Sequence, residues 1–274
     1  MSEPERRGPT RTGGPAAPVG AVDAPSWSTV TATESLRLWR RFPLWMTVGL
    51  PVGLVLPQGL VAVLSPEGRQ GFVWDVWLQV VLMFWGILLP MAAALYAAAA
   101  VRQDDQARLL LYSYGFPRSR LLLGEFTAVA AMSLVSAALL TCLLCVLCVL
   151  FGQAGELPLV VAAGMLPWLA SLATLALCLV VAHAWGFTAA TCTGVVGMVF
   201  GALLADKPVW WAIPLAWPMR AVVPLAGVEA SGVPLPPDAP LRDMTVLPVA
   251  VGLSAALTAV LLAVGSRYVN RKEL

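Results

Sequence analysis

The chain predicts an all-α, polytopic membrane fold with six transmembrane helices, on three observations. Of its 274 residues 59% are hydrophobic, only 12% are charged, and the apolar residues gather into runs long enough to cross a bilayer. A mean hydropathy of +0.81 is more apolar surface than a soluble domain of this length hides. The net charge of +2 conceals an uneven distribution, so the total carries no message about nucleic acid, and no nucleic-acid partner is expected.

Residues 1–26 are dense in Pro and Gly and lack the apolar core of a signal peptide, so they read as a disordered cytoplasmic tail; residues 27–274 form the membrane domain. Thr31 and Glu34 then show capping-box spacing, and Pro43 closes the segment. At helical periodicity Leu36, Leu38, Trp39 and Phe42 share one side, while Glu34, Arg37, Arg40 and Arg41 share the other. Such a helix lies flat on the inner membrane surface, or else is an ordinary juxtamembrane anchor whose arginines fix orientation.

Six runs follow that approach the ~20 residues needed to cross a hydrocarbon core of about 30 Å. They are Leu44 to Leu64, Val76 to Val101, Leu121 to Phe151, Leu159 to Ala184, Phe187 to Ala205 and Val246 to Ser266. The third is longer than a crossing requires, which predicts tilt or an interfacial first turn. With the N-terminus inside, thirteen of the 17 Lys and Arg fall on inner segments, leaving Arg69, Lys207, Arg220 and Arg242 outside. Both termini are therefore expected in the cytoplasm. Trp39, Trp45 and Trp185 near inner ends, and Trp74, Trp77, Trp210 and Trp211 near outer ends, fit interfacial aromatic belts.

Between the second and third runs stands "RQDDQARLLLYSYGFPRSR", the one long charged loop between spans on the inner side. Asp104 and Asp105 suit a helix N-terminus, Gly115 a C-terminal stop, and Pro117 prevents continuation. This predicts a short helix near Asp105 to Tyr114, followed by Arg118 and Arg120. Its Leu109, Leu110, Leu111, Tyr112 and Tyr114 would fill a groove on a cytosolic partner or, as a plain connector, dip into lipid. On the outer side "KPVWWAIPLAWPMRAVVPLAG" is apolar but broken by Pro208, Pro214, Pro218 and Pro224, so it reads as an interfacial or re-entrant lid. There Trp210, Trp211 and Trp217 would contact an amphipathic substrate or simply anchor the interface.

Sharper chemistries find little support. Cys142, Cys145 and Cys148 have a spacing met in iron–sulfur ligation, but they lie within an apolar run and read as packing residues. Cys178 and Cys192 also fall in spans, so no extracellular disulfide framework is implied. His183 is the single histidine, which excludes an HExxH zinc site; it reads as a polar interface residue. Glu125 is the one acid inside the predicted spans, and no catalytic triad is plausibly placed. No metal site, cofactor site or catalytic residue is expected. The only lysines, Lys207 in "DKP" and Lys272 in "RKE", exclude a Walker A loop. Gly49 with Gly53, and Gly197 with Gly201, form GxxxG pairs that serve packing within one subunit or dimerisation.

The basic amphipathic segment before the first span, the acid-led loop with "GFPRSRLLLGEF" and the Pro-rich outer segment together resemble the type 2 ATP-binding-cassette exporter permeases, most closely those of lantibiotic immunity. The resemblance covers Thr31 to the C-terminus. It implies that Glu34, Arg37 and Arg41 lie in a connecting helix. It further implies that Asp104, Asp105, Arg108, Leu109, Tyr112, Tyr114 and Arg118 lie in a coupling helix that docks on a cytosolic cassette ATPase. ATP and Mg would be bound by that ATPase and not by this chain. The family also implies a re-entrant helix before the last span, a second permease subunit (a copy or a sister chain), a bacterial plasma-membrane location and an amphipathic peptide antibiotic as substrate. Glu125 departs from the pattern, since many relatives carry a basic residue near it; pairing with Arg118 or Arg120 is the expectation. A drug, lipid or polysaccharide exporter, and a membrane anchor or sensor subunit without a pump role, are the alternatives.

Overall fold

The computed structural model describes residues 42–65, 70–111 and 118–271. Its elements are helical: α1 (Phe42–Val63), α2 (Gln70–Leu111), α3 (Arg118–Leu150), α4 (Leu157–Ala205), α5 (Trp217–Ala226) and α6 (Val246–Arg271). Single 3-10 turns occupy Ala154–Glu156, Trp210–Ala212, Pro214–Ala216 and Pro240–Arg242. The one bridge of strand type among the described residues joins Val228 to Pro234. Five helices, α1, α2, α3, α4 and α6, are long and apolar enough to cross a membrane. Many large side chains on them face outward, including Trp45, Leu56, Leu60, Leu150 and Leu203. Helices apolar on both their packed and their open faces are what lipid as the surrounding solvent demands.

α2 is the central column. Trp74, Trp77, Leu78, Val81, Leu82, Trp85 and Leu89 recur at three- and four-residue steps and are all buried in the main core. Further along, Ala93, Ala94, Ala97 and Ala98 replace these large groups, so that α4 comes close; a side chain on Gly194 would collide with Ala94. α2 continues without a break to Leu111, so Asp104 and Asp105 lie inside a helix and do not begin one, contrary to the separate capped helix expected from the sequence. Nothing from Ala97 to Leu111 is Gly or Pro, and the run is rich in Ala, Gln, Arg and Leu, so propensity favours continuation over a new start.

α4 contains 49 residues, which as a straight rod would measure about 74 Å. It is not straight. At Gly186 the backbone takes φ 84°, ψ −173°, a region open essentially to glycine alone. Beyond it the chain doubles back. Thr174 donates to the Pro214 carbonyl at 3.1 Å, and Gly201, 27 positions later, packs on the neighbouring Leu215 backbone. Ala182 and Ala190, on opposite sides of Gly186, share one core cluster with Ala94, Ala97 and Ala98. The divided α4 thus matches the break expected between Ala184 and Phe187.

Side-chain hydroxyls lash the helices together. Ser254 of α6 inserts its Oγ into the α4 backbone, donating to the Leu169 carbonyl at 3.0 Å and accepting the Ala173 N–H at 3.1 Å. The Trp168 indole of α4 donates to Ser133 of α3 at 3.0 Å.

Candidate functional site

Two places in the bundle gather polar chemistry: the end that carries residues 206–245, called here the lid end, and the opposite end, near Glu125 and Gly186.

At the lid end the Pro-rich segment folds as two 3-10 turns leading into α5, whose ten residues, Trp217 to Ala226, are all buried. Ten residues span about 15 Å, half a hydrocarbon core, so α5 is by itself too short to cross one. Pro218 sits in its first turn, where a missing N–H costs nothing, and Gly227 at φ 65° closes it with a left-handed cap. Gly86 of α2 makes room for this approach: a Cβ there would meet Met219 and Val222 at 2.9 Å each.

The three lid tryptophans divide by role. Trp217 is buried, and its indole N–H is shared between the Trp210 and Trp211 carbonyls at 3.2 and 3.1 Å. It pins the lid and is not presented to a ligand. Trp210 carries the Arg220 guanidinium over its ring at 5.7 Å, and Trp211 is 60% exposed. Arg220 is buried beside Asp206, the residue that ends α4. Burial lowers the Arg220 guanidinium from its ordinary value while Asp206 and Asp243 pull it back. Burial likewise raises the Asp206 carboxyl, against the N–H of Ala230, which it accepts at 2.9 Å.

Beside the lid opens a cleft of about 270 Å³, lined by Asp75 and Gln79 of α2, Glu156, Leu159, the end of α5, Arg242 and Met244. The Trp74 indole holds Glu156 at 2.7 Å. Arg242 is turned to the backbone, donating to the Leu235 carbonyl at 2.8 Å. Among the described residues neither Asp75 nor Glu156 forms an ion pair. The closing carbonyls of α5 add partial negative charge on the same wall. Sequence reading missed this cleft, because Asp75 and Glu156 are 81 positions apart and nothing local links them.

At the other end Glu125 of α3 and His183 of α4 meet, with Oε2 and Nε2 2.5 Å apart and side chains 1% and 6% exposed. His183 turns its side chain into this contact with Glu125, a pairing that its place near a span end did not suggest. Of the partners expected for Glu125, the Arg118 side chain lies outside the described set, and the contact described is with His183, which the sequence did not offer. Of the coupling residues, Asp104, Asp105, Arg108 and Leu109 fall on the α2 backbone with side chains outside the described set; Tyr112 and Tyr114 lie outside it entirely. Arg118 begins α3, and its side chain is likewise outside; so are Glu34, Arg37 and Arg41.

The cysteine run does not converge: Cys142 is exposed, Cys145 half-buried, and Cys148 buried with its Sγ on the Gln153 carbonyl. Of the two GxxxG pairs, Gly197 packs on Pro90 and Leu215 and Gly201 on Leu215, whereas Gly49 and Gly53 face open space. No family model, no curated protein and no solved structure matches the chain.

Proposed function

We propose that the chain is the membrane-spanning permease subunit of a bacterial ATP-driven exporter, with six crossings, both termini cytoplasmic, and ATP and Mg bound on a separate cytosolic ATPase. The observation that carries this reading is α5: a fully buried, Pro-started helix too short to cross, capping the end of the bundle opposite the charged last turns of α2. The reversal at Gly186 supports six crossings, since it lets α4 run from the lid end and back. Two permease subunits, identical or sister chains, would enclose the path, and ATPase closure would act through residues 102–118 and the basic segment before α1. Such coupling works only where the two permease states differ in their contacts with the ATPase.

The test is co-purification of the tagged protein from its native host in mild detergent. Wild type is expected to bring down a Walker A ATPase, and Asp105→Ala/Leu109→Ala/Tyr112→Ala to insert normally and lose it. Recovery of a kinase or other signalling protein in place of the ATPase would instead support the sensor or anchor alternative.

For the substrate, the lid-end cleft favours an amphipathic peptide antibiotic that bears a cationic side chain. Asp75 and Glu156 line the cleft without an ion pair among the described residues and outnumber its one lining cation, Arg242, which is turned to the Leu235 carbonyl; apolar walls come from Leu78, Leu159 and Met244. The expected result is that Asp75→Asn/Glu156→Gln weakens binding of a Lys-bearing amphipathic peptide about tenfold or more, or ~1.4 kcal/mol. Fluorescence titration in nanodiscs checks it. Equal affinity for the same peptide with its amines acetylated would exclude charge recognition in the cleft.

A further inference from the structure

The lid-end cleft carries charge of both signs, held on different elements. Asp75 and Gln79 belong to α2, and Glu156 is tied to α2 by the Trp74 indole at 2.7 Å. Arg242 belongs to the lid. Its Nη2 donates to the Leu235 carbonyl at 2.8 Å, and its guanidinium rests on Gly227, another residue of the cleft. A Cβ on Gly227 would fall 2.9 Å from Nη2 and 3.3 Å from Nη1, so a glycine at this cap leaves the cation its seat.

One duty of Arg242 is that of a strap, since a cation suits the closing carbonyls of α5. That duty uses one N–H of five. Nε is buried, but Nη1 is neither buried nor hydrogen-bonded among the described residues. Nor does an ion pair join Arg242 to Asp75 or Glu156 among them. The cleft therefore keeps an acidic wall and a basic wall that do not cancel by direct contact.

We propose that the cleft takes a dipolar group of the peptide, with a cationic side chain against Asp75 and Glu156 and a neighbouring carboxylate against Arg242, which makes Arg242 a specificity-determining residue. This rests on the reading of the cleft as the peptide's site. At about 270 Å³ the cleft falls just below the ~300–1,000 Å³ of pockets for drug-sized ligands, so it admits one end of a peptide and not its whole length. A C-terminal Lys carries both charges within one residue. Guanidinium meets carboxylate through a planar fork of N–H donors, and an arginine already seated loses little freedom on binding. The sign of the effect separates this from recognition of positive charge alone. Amidating the C-terminus makes the peptide more cationic, which an acidic cleft tolerates or favours, but it removes the partner of Arg242.

The test is fluorescence titration of the full chain in phosphatidylcholine nanodiscs with an N-acetylated amphipathic peptide whose only Lys is its last residue, as free acid and as C-terminal amide. The amide is expected to bind wild type about fivefold or more weakly, and the two forms to bind Arg242→Gln alike. Arg242→Lys, which keeps the charge and loses the fork, is expected to retain only part of the difference. An amide that binds wild type as tightly as the acid, or more tightly, overturns the role of Arg242 and leaves the cationic reading of the cleft standing. So does an amidation penalty undiminished in folded Arg242→Gln. Failure of the free acid to bind wild type at all removes the cleft as the peptide's site, and this proposal with it.

Discussion

His183→Leu is expected to lower unfolding stability by about 3–5 kcal/mol, measured by denaturant titration in mixed micelles. The reason is positional. Glu125 sits 1% exposed between α3 and α4, and His183 supplies a 2.5 Å partner from a segment close to the Gly186 reversal. Removing the imidazole takes a close hydrogen-bonding partner away from a carboxyl group held in a low-dielectric interior, and breaking a buried pair from one side is costly. The double variant Glu125→Leu/His183→Leu is expected to recover much of that loss, since an apolar pair of similar volume costs far less than half of an ionic one. A single-variant loss under about 1 kcal/mol would mean that the pair is well watered and behaves as a surface ion pair.

Gly201→Val is expected to be the second large effect, because the lid is seated on this glycine. Its Cβ would fall inside contact distance of the Leu215 carbonyl oxygen, and a backbone atom cannot swing away as a flexible side-chain end can. Overpacking of this sort costs about 1–3 kcal/mol, and here it should also displace the turn Pro214–Ala216. The lid should report this directly: Trp217, now buried, should become accessible to an aqueous fluorescence quencher. Gly53→Val, at a position with nothing within 4 Å, is the control. It is expected to leave monomer stability within about 0.5 kcal/mol of wild type. Unchanged Trp217 quenching in Gly201→Val would show that the lid does not depend on this close approach.

How much of this was legible in the sequence depends on the range of the signal. Apolar runs announce long helices, and four clustered prolines announce that Lys207 to Gly227 is not one; both readings agree with the fold. The divide within α4 was also legible, since the apolar runs break around Gly186. What failed was the capped helix after Asp104. Cap residues bid for a new N-terminus only where the preceding helix stops, and Ala97 to Val101 give it no reason to stop. The pairing of Glu125 with His183 and the cleft between Asp75 and Glu156 were not legible. Each joins residues from different helices, and helix rotation about its own axis leaves no mark in an all-round apolar sequence.

The reversal at Gly186 bears on how the chain is laid into lipid. Through all 49 residues of α4 there is no Lys, Arg, Asp or Glu, so the turn holds no charge for the inside-positive rule to read. On the six-crossing reading the two halves form a paired insertion unit whose orientation is dictated from elsewhere, by Arg102 to Arg120 before it and by Arg267 to Lys272 after it. Because a pair preserves parity, the C-terminus keeps its side whether or not the unit has yet entered the bilayer. The final helix can therefore be positioned by its own basic tail during synthesis, without waiting for the longest apolar segment of the protein to settle.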